Sequence, residues 1–361
     1  MLIYWLMLIF PGVVAVLSRR GEHGANRAAR RDVGTFAALI AFWLFYNAIS
    51  VFRYDTGGDW YTYDILIQEI SISDYAYALS RGDDGFMTIA YVSTRLGLDL
   101  YGVNLVCSAL LSAGVVSLAR RLPDPWVAIA ASVPYILIVV GLGYIRQGAA
   151  IGLILLAINA IVDRRNIGGV VYMLLAMLFH FGAIVVVPFI GLALVRRNPV
   201  AMIGIGFIGL LIYAYVFTSD RLYVLDAGYL DIERESSGAG IRLVMNLLPS
   251  LLFLWRRDKL KLEPLERGIW SNFAWFSIVL MVALYATPSS TAVDRVALFF
   301  SPIQVFVFGY FLTLLGIRGR GAALVIVGLL TYCALVFAVW AFFADHSQFW
   351  VPYKSVFTSG Y

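Results

Sequence analysis

Long apolar runs alternate with short polar breaks along almost the whole chain. A helix needs about 20 predominantly apolar residues to cross a bilayer core. Runs of that kind occupy 1–17, 33–51, 101–119, 126–143, 147–162, 200–217, 241–255, 269–286, 296–315 and 321–343, and they predict ten transmembrane helices. A further apolar stretch, 167–195, lies between Arg164-Arg165 and Arg196-Arg197. Basic flanks on both sides put its two ends on one face. It therefore predicts a re-entrant hairpin, broken at Phe179-His180, with arms of about 20 Å that are too short to cross. The expected fold class is all-α: a polytopic integral membrane protein, one transmembrane domain over 1–361, with about ten helices plus the broken hairpin.

Composition agrees with that pattern. Hydrophobic residues make up 61% of the chain and charged residues 14%, against about 25% charge in an average soluble domain. A soluble globular enzyme and a disordered chain are excluded. The net charge of +5 would suit nucleic acid, but Lys and Arg fall in short clusters between apolar runs, which is how a membrane chain sets its orientation. With the first run starting outside, 18 of the 27 basic residues and 7 of the 22 acidic ones fall inside. This predicts both termini on the outer side. The first run has no positive residues before it and Arg19-Arg20 after it, the reverse of a cleavable signal. Cys107 and Cys333 lie within apolar segments, which disfavours a disulfide framework or thiolate metal site. Gly204-Ile205-Gly206-Phe207-Ile208-Gly209 matches a dinucleotide-binding glycine pattern but lies within an apolar span, where it reads as helix packing.

Candidate chemistry gathers in the outer segments, 52–100, 218–240 and the tail 344–361. The first carries Arg53, Tyr54, Asp55, Gly57-Gly58, Asp59, Trp60, Tyr61, Tyr63 and Asp64 within a few residues. Aromatic faces stack on sugar rings, and carboxylates bind hydroxyls or act as general bases. An interfacial aromatic belt explains the rings but not two Asp around a Gly pair. Asp83-Asp84-Gly85-Phe86 opens an amphipathic stretch, 85–98, placed to dip into the membrane; helix capping is the plainer reading of these Asp. Arg146, Arg242 and Arg295 stand at outer helix ends, against the inside bias of the other basic residues. Together they suit a phosphate group, which guanidinium binds bidentately; snorkelling or local pairing, as Asp294-Arg295 suggests, is the alternative. His180 at the hairpin break is ionisable within an apolar segment, a functional candidate on that ground, or a histidine satisfied by a neighbouring helix. In 218–240, Asp220, Arg221, Asp226, Asp231, Glu233, Arg234 and Glu235 read as a solvated loop or a sugar-binding lid, with Asp231 and Glu233 the nearest approach to a divalent-metal pair.

In order along the chain, several of these short pieces resemble the EpsG-like branch of the Wzy-type bacterial polysaccharide polymerases. They are Arg53-Tyr54 through Gly58-Asp59-Trp60 and Tyr63, Asp84-Gly85-Phe86, Arg146-Gln147, Phe179-His180, Asp294-Arg295 and Trp350-Val351-Pro352-Tyr353-Lys354. The resemblance implies a GT-C-like membrane glycosyltransferase of the bacterial inner membrane. It would move a growing chain from undecaprenyl diphosphate onto a new lipid-linked oligosaccharide unit. No cofactor is implied, because the diphosphate already activates the donor. The implied partners are that lipid-linked substrate, membrane lipids and, for chain length, a second membrane protein; nucleic acid is not among them. In this frame Asp59, then His180, are the catalytic candidates. Arg146, Arg242, Arg295 and Arg53 are the diphosphate ligands, and Tyr54, Trp60, Tyr61, Tyr63 and Asp84 bind sugar. A lipid-linked oligosaccharide flippase, a polysaccharide ligase and an acyltransferase centred on His180 are the rival readings. A flippase should carry ionisable residues along a path open to both faces, whereas here they cluster outside.

Overall fold

Residues 1–20, 33–196, 198–218, 238–287 and 290–358 are described by a computed structural model of the chain. The expected cytoplasmic arginines Arg27, Arg30, Arg31 and Arg197 and the charged group from Asp220 to Glu235 lie outside the described residues. In apolar surroundings every backbone N–H and C=O needs a partner within its own segment, and a helix supplies one. Accordingly the regular structure among the described residues is helical, with no strand and a lone backbone bridge between Arg53 and Ser355.

Among the described residues, seven helices are long and apolar enough to cross a membrane: Gly34–Val51, Asp99–Ala119, Pro125–Gly143, Ile145–Val162, Ala239–Lys259, Pro264–Ala286 and Gly321–Phe343. The expected spans at 1–17 and 200–217 are the helices Leu2–Arg20 and Pro199–Thr218. The span expected at 296–315 is not one continuous helix. It is a bent pair, Ser290–Leu298 and Pro302–Gly309, at 47° to each other. Proline has no N–H to donate and its ring clashes with the preceding turn, so Pro302 opens a new helix instead of continuing the old one.

Pro125–Gly143 is wholly buried within the protein and Ile145–Val162 is 83% buried, against 28% for Gly321–Phe343. The first two are the centre of the bundle. Close approach there rests on small residues: a Cβ on Gly114 would overlap the backbone of Gly152, and one on Gly152 the backbone at Leu110-Leu111. Polar side chains add interhelical bonds. Ser108 donates to Asn47 at 2.7 Å, and Asn47 donates to Ser112 at 3.0 Å. Within the central helix, Val133–Val140 is π-helical, a distortion that recurs near functional sites.

The stretch 167–195 does break where expected. Helix Asn166–Phe179 ends at His180, whose backbone is extended, and the chain continues through Phe181–Val186 into helix Val187–Leu194. Both of its ends lie at the basic end of the bundle: Gly169 meets Ile161, two residues before Asp163, and Ala193 meets Gly268, two residues after Glu266, which feels the charges of Arg121 and Asp163. His180 is at the apex. A 14-residue arm reaches about 21 Å at 1.5 Å per residue.

The amphipathic stretch is helix Asp84–Arg95. It buries Phe86, Met87, Ala90 and Ser93, and Gly85 lies against Leu178 of the hairpin.

Candidate functional site

Three helix starts and the hairpin apex bring the candidate residues together. Asp59 precedes helix Trp60–Ser71, Asp83 precedes helix Asp84–Arg95, and Arg146 lies in the first turn of Ile145–Val162. An aspartate before a helix ordinarily caps it. Asp74 does so, accepting from the Tyr77 N–H at 2.8 Å. Neither Asp59 nor Asp83 makes a side-chain cap bond, and both carboxyls face Arg146 instead.

Arg146 is the hub. Its Nε donates to the Tyr63 hydroxyl at 3.4 Å, and its Nη1 lies 3.5 Å from Asp83 Oδ2. The guanidinium sits over the Tyr63 and Phe86 rings at 5.7 and 5.6 Å, a cation–π arrangement that fixes its plane. Asp83 also accepts the Phe181 N–H at 3.0 Å. One carboxylate thus ties the arginine to the hairpin apex. His180 Nδ1 faces the Gly182 N–H at 3.4 Å, and its ring packs edge-on against Phe299 at 5.6 Å. Arg146 and Arg295 both act electrostatically on His180.

Arg295 comes from the upper arm of the bent pair and is exposed. Its backbone is pinned: Gln147 donates to the Arg295 carbonyl at 2.8 Å. Asn246 donates to the Ala297 carbonyl at 3.0 Å, and Gln304 to Asn246 at 2.7 Å. Asp59 is half-buried. Burial raises its carboxyl above the usual range, opposed by the positive charges of Arg146 and Arg295 and by the Tyr63 hydroxyl. Asp83 is raised too, first by burial, against Arg146 and the Phe181 N–H.

The other expected ligands are placed differently. Arg53 is 1% exposed. It donates to the Thr56 carbonyl at 3.1 Å, to the Ser50 carbonyl at 2.8 Å, to Ser50 Oγ at 3.0 Å and to Asn104 Oδ1 at 2.8 Å. It is a strut inside the protein, not a ligand waiting for phosphate. Arg242 is held by both oxygens of Asp294, at 2.8 and 2.7 Å, so local pairing describes it. Trp60 and Tyr63 are 8% and 4% exposed and offer no open face for a sugar. Trp60 lies under Arg53, and Tyr54 packs edge-on against Trp60 at 6.1 Å. Tyr61 is 73% exposed, and Asp84 is on the exposed side of its helix.

Asp83 is the residue missed in favour of Asp84. The signal was present: 83, 86, 87 and 90 recur at helical spacing, and the last three are buried. That phase puts Asp83 on the inward face. Among the described residues no group of three or more His, Cys, Asp and Glu gathers for a metal ion; Asp231 and Glu233 lie outside them.

The EpsG family model matches residues 36–355, most of the chain, and points to a polysaccharide polymerase type of role. No curated protein and no solved structure matches.

Proposed function

The chain belongs to the EpsG family, and from that premise we propose that it polymerises undecaprenyl-diphosphate-linked oligosaccharide units at the periplasmic face of the inner membrane, as a glycosyltransferase. The observation that carries this reading is the convergence of one half-buried carboxylate, Asp59, with Arg146, Arg295 and the His180 apex. In this reaction the acceptor hydroxyl oxygen bonds to the anomeric carbon of the donor chain. The bond from that carbon to the diphosphate oxygen breaks and its electron pair leaves with the lipid diphosphate. The hydroxyl proton goes to the base.

Asp59 suits the base. A carboxylate raised by burial takes a proton more readily at neutral pH than an exposed one. His180 suits another part. With Nδ1 accepting from Gly182, a neutral ring carries its proton on Nε2 and presents a donor. A donor at the apex, beside Arg146 and Arg295, matches the charge that grows on the departing diphosphate. Tyr61 and Asp84, both exposed, are the sugar-binding residues in this reading. The orientation with both termini outside, the GT-C-like architecture and a span count above the seven long helices belong to the same proposal.

The test uses purified protein and a synthetic polyprenyl-diphosphate oligosaccharide, with wild type beside Asp59→Ala and Arg146→Ala. Wild type should give a ladder of products and both variants should lose it. The reading fails if wild type with its cognate unit yields no ladder. Accumulation of lipid-linked units on one membrane side in cells lacking the gene would then favour a flippase.

A further inference from the structure

The segment after the last long helix returns to the site. The Gly57 N–H donates to the Phe349 carbonyl at 2.8 Å, the Tyr54 N–H to Lys354 at 3.0 Å, and the Val356 N–H to Phe52 at 3.1 Å. The Lys354 ammonium pairs with Asp55. Trp350, 2% exposed, is the centre of this return. Its Nε1 donates to the Ile138 carbonyl at 3.2 Å in the π-helical turn, and Tyr4 donates to its carbonyl at 2.6 Å.

The indole lies between two glycines. A Cβ on Gly58 would come within 2.8 Å of the ring, and one on Gly143 would overlap it. Gly58 immediately precedes Asp59, and Gly143 is three residues before Arg146. A third glycine closes the set: Gly57 has φ +115°, and a Cβ there would strike the Leu142 carbonyl. Both chain segments that carry the reacting groups therefore rest on one ring, each at a position where only glycine fits.

We propose that Trp350 is a positioning residue for the reaction, the C-terminal segment 349–356 being a strap whose indole sets the spacing between the Asp59 loop and the Arg146 helix start. The inference rests on the function proposed above. Trp350 makes its hydrogen bonds with Ile138 and Tyr4, not with Asp59 or Arg146. It acts through Gly58 and Gly143, and misplacement of a reacting group by about 1 Å costs about 100-fold in rate. Arg146, Arg295, Tyr63 and Tyr144 are the charged and titratable groups that face Asp59. If the loop loosens, Asp59 becomes more hydrated and its protonation moves to lower pH.

The experiment compares wild type with Trp350→Phe, Trp350→Ala and, as a control just beyond the strap, Phe357→Ala, whose ring is 76% exposed. Turnover, KM and the acid limb of the pH profile are read on lipid-linked units. Hydrogen exchange is read over 55–63 in detergent without substrate. Trp350→Ala should lower kcat about 100-fold, move the acid limb down and speed exchange over 55–63, with Phe intermediate and the control like wild type. Unchanged exchange and an unmoved acid limb in Trp350→Ala would overturn the proposal, whatever the turnover. If wild type itself makes no product, the polymerase reading fails, and exchange over 55–63 still decides whether the indole orders the loop.

Discussion

Two arginine–carboxylate clusters, one at each polar end of the bundle, bind charge in different styles. At the basic end, Arg121 meets Asp163 at 2.6 Å and Arg165 meets the same carboxylate at 3.2 Å, with all three side chains at least 30% exposed. At the other end, Arg146 stands 3.5 Å from Asp83 and 3.4 Å from the Tyr63 hydroxyl; its side chain is as exposed as that of Arg121, at 30%, but its carboxylate partner Asp83 is only 6% exposed. Short, wet pairs are closed on themselves and screened by water. Longer contacts in a less hydrated pocket leave the guanidinium oriented but not saturated, which is what a developing anion needs. Arg242 and Arg53 show that position at the outer end is insufficient. The first is occupied by Asp294 and the second by four local acceptors.

The sharpest test of that contrast is Asp59→Asn. Losing the general base should cut turnover about 1,000-fold with little change in KM. It should also remove the acid limb of the wild-type profile. The sign follows from the base role: as pH falls, Asp59 takes a proton and activity drops. Because its carboxyl is raised by burial, the drop should begin above the pH at which an exposed carboxylate titrates. Arg146→Ala comes next, at about 100-fold or more in kcat. Asp83 separates two functions. Asp83→Asn keeps an acceptor for the Phe181 N–H and loses the charge facing Arg146, whereas Asp83→Ala loses both. About tenfold for Asn and about 100-fold for Ala is expected if the apex must be held in place. Equal losses would assign the whole effect to charge.

Part of the fold is legible in the amino-acid sequence. The apolar runs located the helices, and the basic pairs around 167–195 located a hairpin whose break is at His180. The outlying arginines and Asp59 do lie at one end. What escaped depended on distant partners or on phase. Arg53 looks like a ligand until Ser50 and Asn104 are seen around it, and Asn104 is 51 residues away. Asp83 and Asp84 differ only in helical phase. Gly57-Gly58 reads as flexible, yet it is closed by Trp350 from the far end of the chain. The bend at Pro302 had its signal in the proline itself, overruled by the apolar run around it.

Arg53 extends the comparison from activity to stability. Its side chain satisfies backbone carbonyls at Ser50 and Thr56 and the Asn104 amide oxygen. Removing a buried partner strands such acceptors at about 1–3 kcal/mol each. Arg53→Ala should therefore lower the thermal midpoint in detergent and the yield of folded protein, with KM for the lipid-linked unit unchanged in what remains folded. A raised KM at an unchanged midpoint would return Arg53 to the binding site.

Arg121 should matter least. The Arg121–Asp163 pair is the shorter of the two compared, at 2.6 Å, and distance alone would rank it above the Arg146 contacts. The exposure of its carboxylate argues otherwise: both arginines are 30% exposed, but Asp163 is 36% exposed against 6% for Asp83. Two hydrated charges gain little by meeting, and such pairs contribute about 0–1 kcal/mol. Asp163 also keeps Arg165 as a second partner when Arg121 is removed. Arg121→Gln should change turnover by less than about twofold and leave the melting midpoint nearly unmoved, more so in high salt. A loss as large as that of Arg146→Ala, measured on the same substrate, would mean that looseness and burial do not distinguish the working end of the bundle from the structural one.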